Sequence, residues 1–207
     1  MSLNPTTSSS STAPPPSLRE RQRRRTREDL VASALDVVGR VGLEEATVAR
    51  ITQAAGTSRA TLYAHFPEGR TQLLAEAYQV LGRRVLEGAK AHRDRAEGWV
   101  ERIAASLTAM LEVATVRELG LFYNVSGPHL MAGRRRGVGS QATLEVITLE
   151  LEKAQARHQV REGLDAGATA ALLVGAIREA GIDAAQNPAL AQRHHDAFAA
   201  LVGALGA

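Results

Sequence analysis

A chain of 207 residues is long enough for one or two domains with a real core. With 44% hydrophobic but only 3% aromatic residues, that core must be built from Ala, Leu and Val, a composition that favours helices. The absence of cysteine excludes disulfides, thiol catalysis and Cys-ligated zinc. No apolar stretch approaches the ~20 residues of a membrane span, and no basic region followed by an apolar one marks the N-terminus, so a soluble, cytoplasmic protein without membrane association is expected. Residues 1–70 hold ten Arg against seven Asp and Glu, whereas 71–207 hold fifteen basic and fifteen acidic residues. The whole positive excess therefore lies at one end, the footprint of a nucleic-acid-binding head on a neutral body.

Residues 1–18, thirteen of them Ser, Thr or Pro, predict a disordered tail. Six arginines follow between Arg19 and Arg27. They read either as the solvated start of the first helix or, the preferred reading, as a flexible arm whose Arg23, Arg24 and Arg25 lie along phosphates or enter a minor groove. A first helix is predicted over Thr26 to Arg40, with Leu30, Val31, Ala34, Leu35 and Val38 as its apolar stripe and Gly42 in its C-terminal turn.

The stretch TVARITQAAGTSRATLYAHF, Thr47 to Phe66, reads as two short helices around a tight turn. Thr47 caps the first, which carries Val48, Ile51 and Ala54 or Ala55 at helical spacing, and Gly56 breaks it. No capping box forms there, because Arg50 stands three residues after the cap. Ser58 caps the second, Arg59 to His65 or Phe66. Leu62 and Phe66 share its inward face, leaving Arg59, Ala60, Tyr63 and Ala64 outward. Small residues allow close approach to base edges, arginine can fork onto guanine, and hydroxyls reach phosphates.

The segment GTSRATLYAHFP resembles the recognition-helix signature of TetR-type transcriptional regulators, and TVARITQAAG resembles the helix before it, over about 45 residues from Thr26 to Leu74. The resemblance implies that Arg59, Ala60 and Ala64 face bases, that Thr61 and Tyr63 touch phosphates, and that Thr47, Thr57, Ser58 and His65 belong to the same DNA-contacting set. PEGRTQ is one residue longer than the family pattern. Arg70 would take the phosphate-contacting place of the family's lysine.

Beyond Pro67 a long helix is predicted from Thr71 to Arg93, which the resemblance makes the lever between head and body. Further helices are expected over Glu97 to Ala114, Thr115 to Val125, Ser140 to Arg161, Ala166 to Ala185 and from Asn187-Pro188 onward, with SGPHLMAGRRRGVG as a loop. Within 140–161 the run TLEVITLEL also alternates like a strand, but no breaker occurs and no partner strand is visible. In the last two helices Leu172, Leu173, Ala176, Ile177, Ala180, Leu190, Ala197, Phe198, Leu201, Val202 and Leu205 form stripes. By the resemblance these helices make a homodimer interface; by themselves they could equally cover their own core. Arg134, Arg135 and Arg136 read as solvated or as a second anion contact.

Catalytic and metal motifs are missing: there is no HExxH, Walker loop, dinucleotide fingerprint or GxSxG, and the adjacent His194 and His195 diverge by about 100° on a helix. No enzyme, cofactor or metal is expected. Family members commonly bind an effector in the body, and Trp99, Met110, Phe122, Tyr123, Asn124 and His129 are the candidate residues for it, though bulky residues also serve as plain core. The expectation is thus an all-α fold of about nine helices: a three-helix helix-turn-helix head over 19–70, with its basic arm, on an effector-binding and dimerisation body over 71–207. Such a protein would bind double-stranded operator DNA as a homodimeric repressor released by an unknown small-molecule effector. A regulator without an effector, or a non-specific DNA coat, are the alternatives.

Overall fold

The computed structural model describes residues 17–131 and 138–207. Residues 1–16 of the expected tail 1–18 and the Arg134, Arg135, Arg136 run lie outside them, and the tail's last two residues, Ser17 and Leu18, are the cap and first residue of a helix. Nine α-helices make up the described fold: α1 (Leu18–Glu45), α2 (Val48–Ala54), α3 (Arg59–His65), α4 (Arg70–Arg93), α5 (Trp99–Ala114), α6 (Arg117–Leu121), α7 (Val138–Ala156), α8 (Ala166–Gln186) and α9 (Ala191–Gly203).

α1 begins eight residues earlier than its apolar stripe predicts. Ser17 and Glu20 form a reciprocal capping box, the Ser17 amide reaching Glu20 Oε2 at 2.7 Å and the Glu20 amide reaching Ser17 Oγ at 3.2 Å, so the arginine run is helical from its first turn. The flexible-arm reading is thereby corrected: Arg23, Arg24 and Arg25 stand on a helix, all exposed. Gly42 ends the regular helix at φ 79°, a conformation that only glycine adopts without strain. Thr47 and Ser58 cap α2 and α3 by accepting from the Arg50 and Thr61 amides at 3.3 and 3.0 Å.

Leu30, Ala34, Val38, Ile51, Leu62, Phe66, Leu73, Leu74 and Ala77 are fully buried and hold α1 to α4 together. α4 then leaves the head and packs along α5, the most enclosed helix, which also meets α7, α8 and α9. The second half of α1 rests on α6, where a Cβ on Gly39 would come within 3.3 Å of Leu119. Head and body therefore share α1, α4 and α6 as their junction. A buried carboxylate, Glu150 on α7, is held by Arg102 of α5 at 3.1 Å and Lys153 at 3.0 Å.

Three other expectations change. The helix before SGPHL passes into a π-helical turn, Phe122–Ser126, and then a 3-10 turn, Gly127–Leu130, so helical backbone occupies what reads as the start of a loop. α7 stops at Ala156, short of Arg161; His158 takes φ 55°, and Val160 instead pairs with Gly206. In α8 and α9 the predicted stripes are only partly inward: Leu173, Ile177, Phe198 and Val202 are buried, whereas Leu172 is 77% and Leu201 53% exposed. The helix reading of 140–161 holds over Val138–Ala156, with Ile147 and Leu151 in the core.

Candidate nucleic-acid interface and body cavity

α3 is only two turns long and is anchored from one side. Leu62 and Phe66 have no exposure, and Arg59, Ala60, Tyr63 and Ala64 all face solvent. Arg59 has neither an ion pair nor a hydrogen bond among the described residues, so its five donors are available to a partner. The Tyr63 ring lies across the backbone of Gly69, where a Cβ would come within 3.0 Å of Cε1. Gly69, the N-cap of α4 at φ 70°, is thus required twice, by conformation and by the ring above it. The Thr61 hydroxyl pairs with Ser58 Oγ at 2.9 Å, and the Thr47 hydroxyl serves its own cap. Thr57 is half-buried in the turn.

Arg27, absent from the sequence-derived site, ties the head together. Its guanidinium forks onto Glu76 of α4, with Nε to Oε1 at 3.0 Å and Nη2 to Oε2, while Nη1 donates to the His65 carbonyl at the end of α3 and the plane lies 4.1 Å from the Phe66 ring centroid. One side chain on α1 therefore touches α3 and α4 together. Burial, with the charges of Arg23 and Arg27 beside it, holds the His65 imidazole below its ordinary pKa, and its Nδ1 is buried without a partner. The Arg27 bond to the His65 carbonyl places this part of α1 beside the end of α3.

Arg70 departs from its expected place. It turns inward, Nε donating to the Ala46 carbonyl at 2.8 Å and Nη2 to the Leu43 carbonyl, so it satisfies the carbonyls freed where α1 ends. The reading of Arg70 as a phosphate clamp is corrected to that of a tie between α1 and α4.

A cavity of about 250 Å³ opens in the body between α4, α5, the π-helical turn, α7 and α8. Of the six sequence-derived candidates, Met110, Tyr123 and Asn124 line it, and Trp99, Phe122 and His129 do not. Phe122 and Tyr123 both pack on Tyr78, the first edge-on with centroids 6.1 Å apart and the second tilted at 5.5 Å, but of the two Tyr123 reaches the cavity and Phe122 stays in the core. Trp99 packs half-buried at the start of α5, and His129 faces solvent. Tyr78, Ser140, Thr143 and Arg178 add polar groups to the lining and were not singled out by sequence; the local signal was polar residues interrupting apolar helix faces. Arg178 donates from Nε to the Asn124 carbonyl at 2.9 Å. Among the described residues no group of three or more His, Asp or Glu could hold a metal ion, and no helix is long and apolar enough to cross a membrane.

A solvent-facing Arg/Ala/Tyr surface on the second helix of a helix-turn-helix, braced from behind and flanked by a basic helix start, defines a DNA-binding protein. Residues 30–77 match the sequence pattern described as bacterial regulatory proteins, tetR family. No curated protein matches the chain by sequence. Among solved structures it is similar to a TetR-family transcriptional regulator from Pectobacterium atrosepticum, with 23% identity, TM-score 0.74, covering 90% of this chain and 96% of that one. A TetR regulator from Chloroflexus aurantiacus follows with 21% identity, TM-score 0.70 and coverages of 90% and 98%. FadR from Bacillus subtilis, solved in complex with stearoyl-CoA, has 16% identity, TM-score 0.63 and coverages of 83% and 97%. Residues 30–77 thus carry the tetR-family helix-turn-helix pattern, and the chain as a whole shares the all-α fold of the TetR-family regulators it resembles.

Proposed function

We propose that this regulator is a homodimeric, cytoplasmic repressor that reads a near-palindromic operator and leaves it when a small molecule enters the body cavity. The observation that carries the DNA-reading part is the unpaired Arg59 beside Ala60, Tyr63 and Ala64 on a helix fixed by Leu62 and Phe66. In this reading Arg59 forks onto a guanine, Ala60 and Ala64 let the helix approach base edges, and Tyr63, Thr61, Thr57, Ser58, Thr47 and His65 hold the backbone. Arg23, Arg24 and Arg25 add salt-dependent attraction as a helical extension. Two such heads on a twofold axis reach half-sites roughly 34–36 Å apart.

Support for the dimer comes from the outer surface of α8 and α9. Leu172 and Leu201 are exposed there, apolar residues open to a second copy. Support for an effector comes from the cavity, whose walls include α4, the helix that Glu76 and Arg27 couple to α3. A ligand that prefers one tilt of α4 must weaken DNA binding by the same factor by which DNA weakens the ligand. FadR of B. subtilis, with the same fold, was solved with an acyl-CoA, which favours a ligand-taking body.

Mapping bound sites across the source genome and measuring anisotropy on the recovered operator tests the proposal. Wild type should prefer the operator to random DNA, and Arg59→Ala should cost about 1–3 kcal/mol on the operator alone. Equal weakening on every sequence would refute base reading by Arg59.

A further inference from the structure

Among the described residues lining the cavity Arg178 is the only charged one, and none of them is a carboxylate. Its Nε is committed to the Asn124 carbonyl, while its two terminal nitrogens have no protein partner among the described residues. Around it are two almost fully buried polar side chains with unspent groups. The Tyr123 side chain, 6% exposed, has a hydroxyl without a hydrogen-bond partner among the described residues. Asn124, 3% exposed, uses its amide nitrogen on the Gly120 carbonyl at 3.0 Å and Met110 Sδ at 3.3 Å, leaving Oδ1 without a donor. Both side chains line the cavity, so these groups mark where a ligand's polar groups belong. The remaining walls, Met110, Val174 and Ile177 among them, are apolar.

We propose that the cavity takes a small organic acid, one carboxylate on an apolar body, with the carboxylate on the terminal nitrogens of Arg178 and a hydroxyl or N–H of the ligand on Asn124 and Tyr123. This rests on the reading of the cavity as the effector site. Charge separates the rivals: among the described residues a cation would meet Arg178 with no counter-charge, and one arginine balances the single charge of a carboxylate but not both charges of a phosphate dianion. Size sets the scale: about 250 Å³ is the volume of roughly eight water molecules, enough for a single ring or a short chain. The charge of Arg178 is felt at the Tyr78 phenol, where it opposes the upward push of burial, which places it within the cavity's field.

The test uses the purified full-length chain with salicylate, 3-phenylpropionate and octanoate, their primary amides, and benzylamine, read by thermal shift and calorimetry. At least one acid should bind saturably, its amide about tenfold or more weakly, and benzylamine not at all. Arg178→Gln should abolish the preference for acid over amide, and Arg178→Lys should restore part of it. The unchanged melting temperature of unliganded Arg178→Gln checks that the fold is intact; should it fall, the acid-to-amide ratio of wild type decides. Equal binding of acid and amide, binding of benzylamine, retention of the preference in Arg178→Gln, or no binding by any of the three acids would each overturn the proposal. Operator anisotropy separates the two readings: acids that bind as described without releasing DNA leave the ligand class standing and refute the effector, and release by amides but not acids does the reverse.

Discussion

Replacing Arg27 by alanine removes three contacts at once: the fork onto Glu76, the bond to the His65 carbonyl and the stack on Phe66. Arg27 and Glu76 side chains are 34% and 32% exposed, so solvent screens their pairing and about 1 kcal/mol is appropriate, at the upper end for surface pairs. A charged donor on a carbonyl adds about 1 kcal/mol, and the guanidinium over Phe66 about 0.5–1 kcal/mol. The sum, roughly 2–3 kcal/mol, should lower the melting temperature by about 4–12 °C for a chain of this size. Because Arg27 also tethers the end of α3, operator affinity should fall even though it contacts no base. A double-mutant cycle with Glu76→Ala isolates the pair, with a coupling of about 1 kcal/mol expected from urea unfolding. Coupling near zero, or unimpaired operator binding by Arg27→Ala, would refute the claim that this residue couples α1, α3 and α4.

Three further outcomes follow from single positions. Gly120→Ala puts a Cβ 2.7 Å from that of Ala185 and 3.0 Å from the Ala114 backbone; overpacking of about 1–3 kcal/mol should outweigh the ~1 kcal/mol gain in helix propensity, and a stabilised variant in thermal melts would contradict this packing. His65 is held neutral in the folded head, its pKa below the unfolded value, so the unfolded state binds more protons below about pH 6.5 and stability falls as pH drops from there towards the lowered pKa. His65→Gln should therefore show a smaller drop in urea midpoint between pH 7.5 and 5.5 than wild type, and an identical drop would sink the assignment. Leu172→Glu with Leu201→Glu should halve the mass seen by light scattering while changing monomer stability by no more than about 0.5 kcal/mol per site; an unchanged mass would move the dimer interface elsewhere.

What the sequence determined by itself was everything set by neighbours within about four residues. Thr47 and Ser58 cap α2 and α3, Gly56 takes φ 62° between them, and the spacing of Leu62 and Phe66 turns Arg59, Ala60, Tyr63 and Ala64 outward. These are local choices of backbone and periodicity, and they suffice to define the head. Ser17 and Glu20 were also local, three residues apart, and reading that pair would have placed the arginines on a helix.

Tertiary structure decided every pairing across longer separations. Arg27 meets Glu76 forty-nine residues away and Arg70 meets Ala46 twenty-four away, because α1 and α4 pack side by side and no pattern along the chain encodes that. The same reason explains the cavity. Arg178 reaches Asn124 across fifty-four residues, and the π-helical turn at Phe122–Ser126 divides the Phe-Tyr-Asn run between core and cavity. Side chains alike in composition thus acquire different roles from the helix that happens to lie against them.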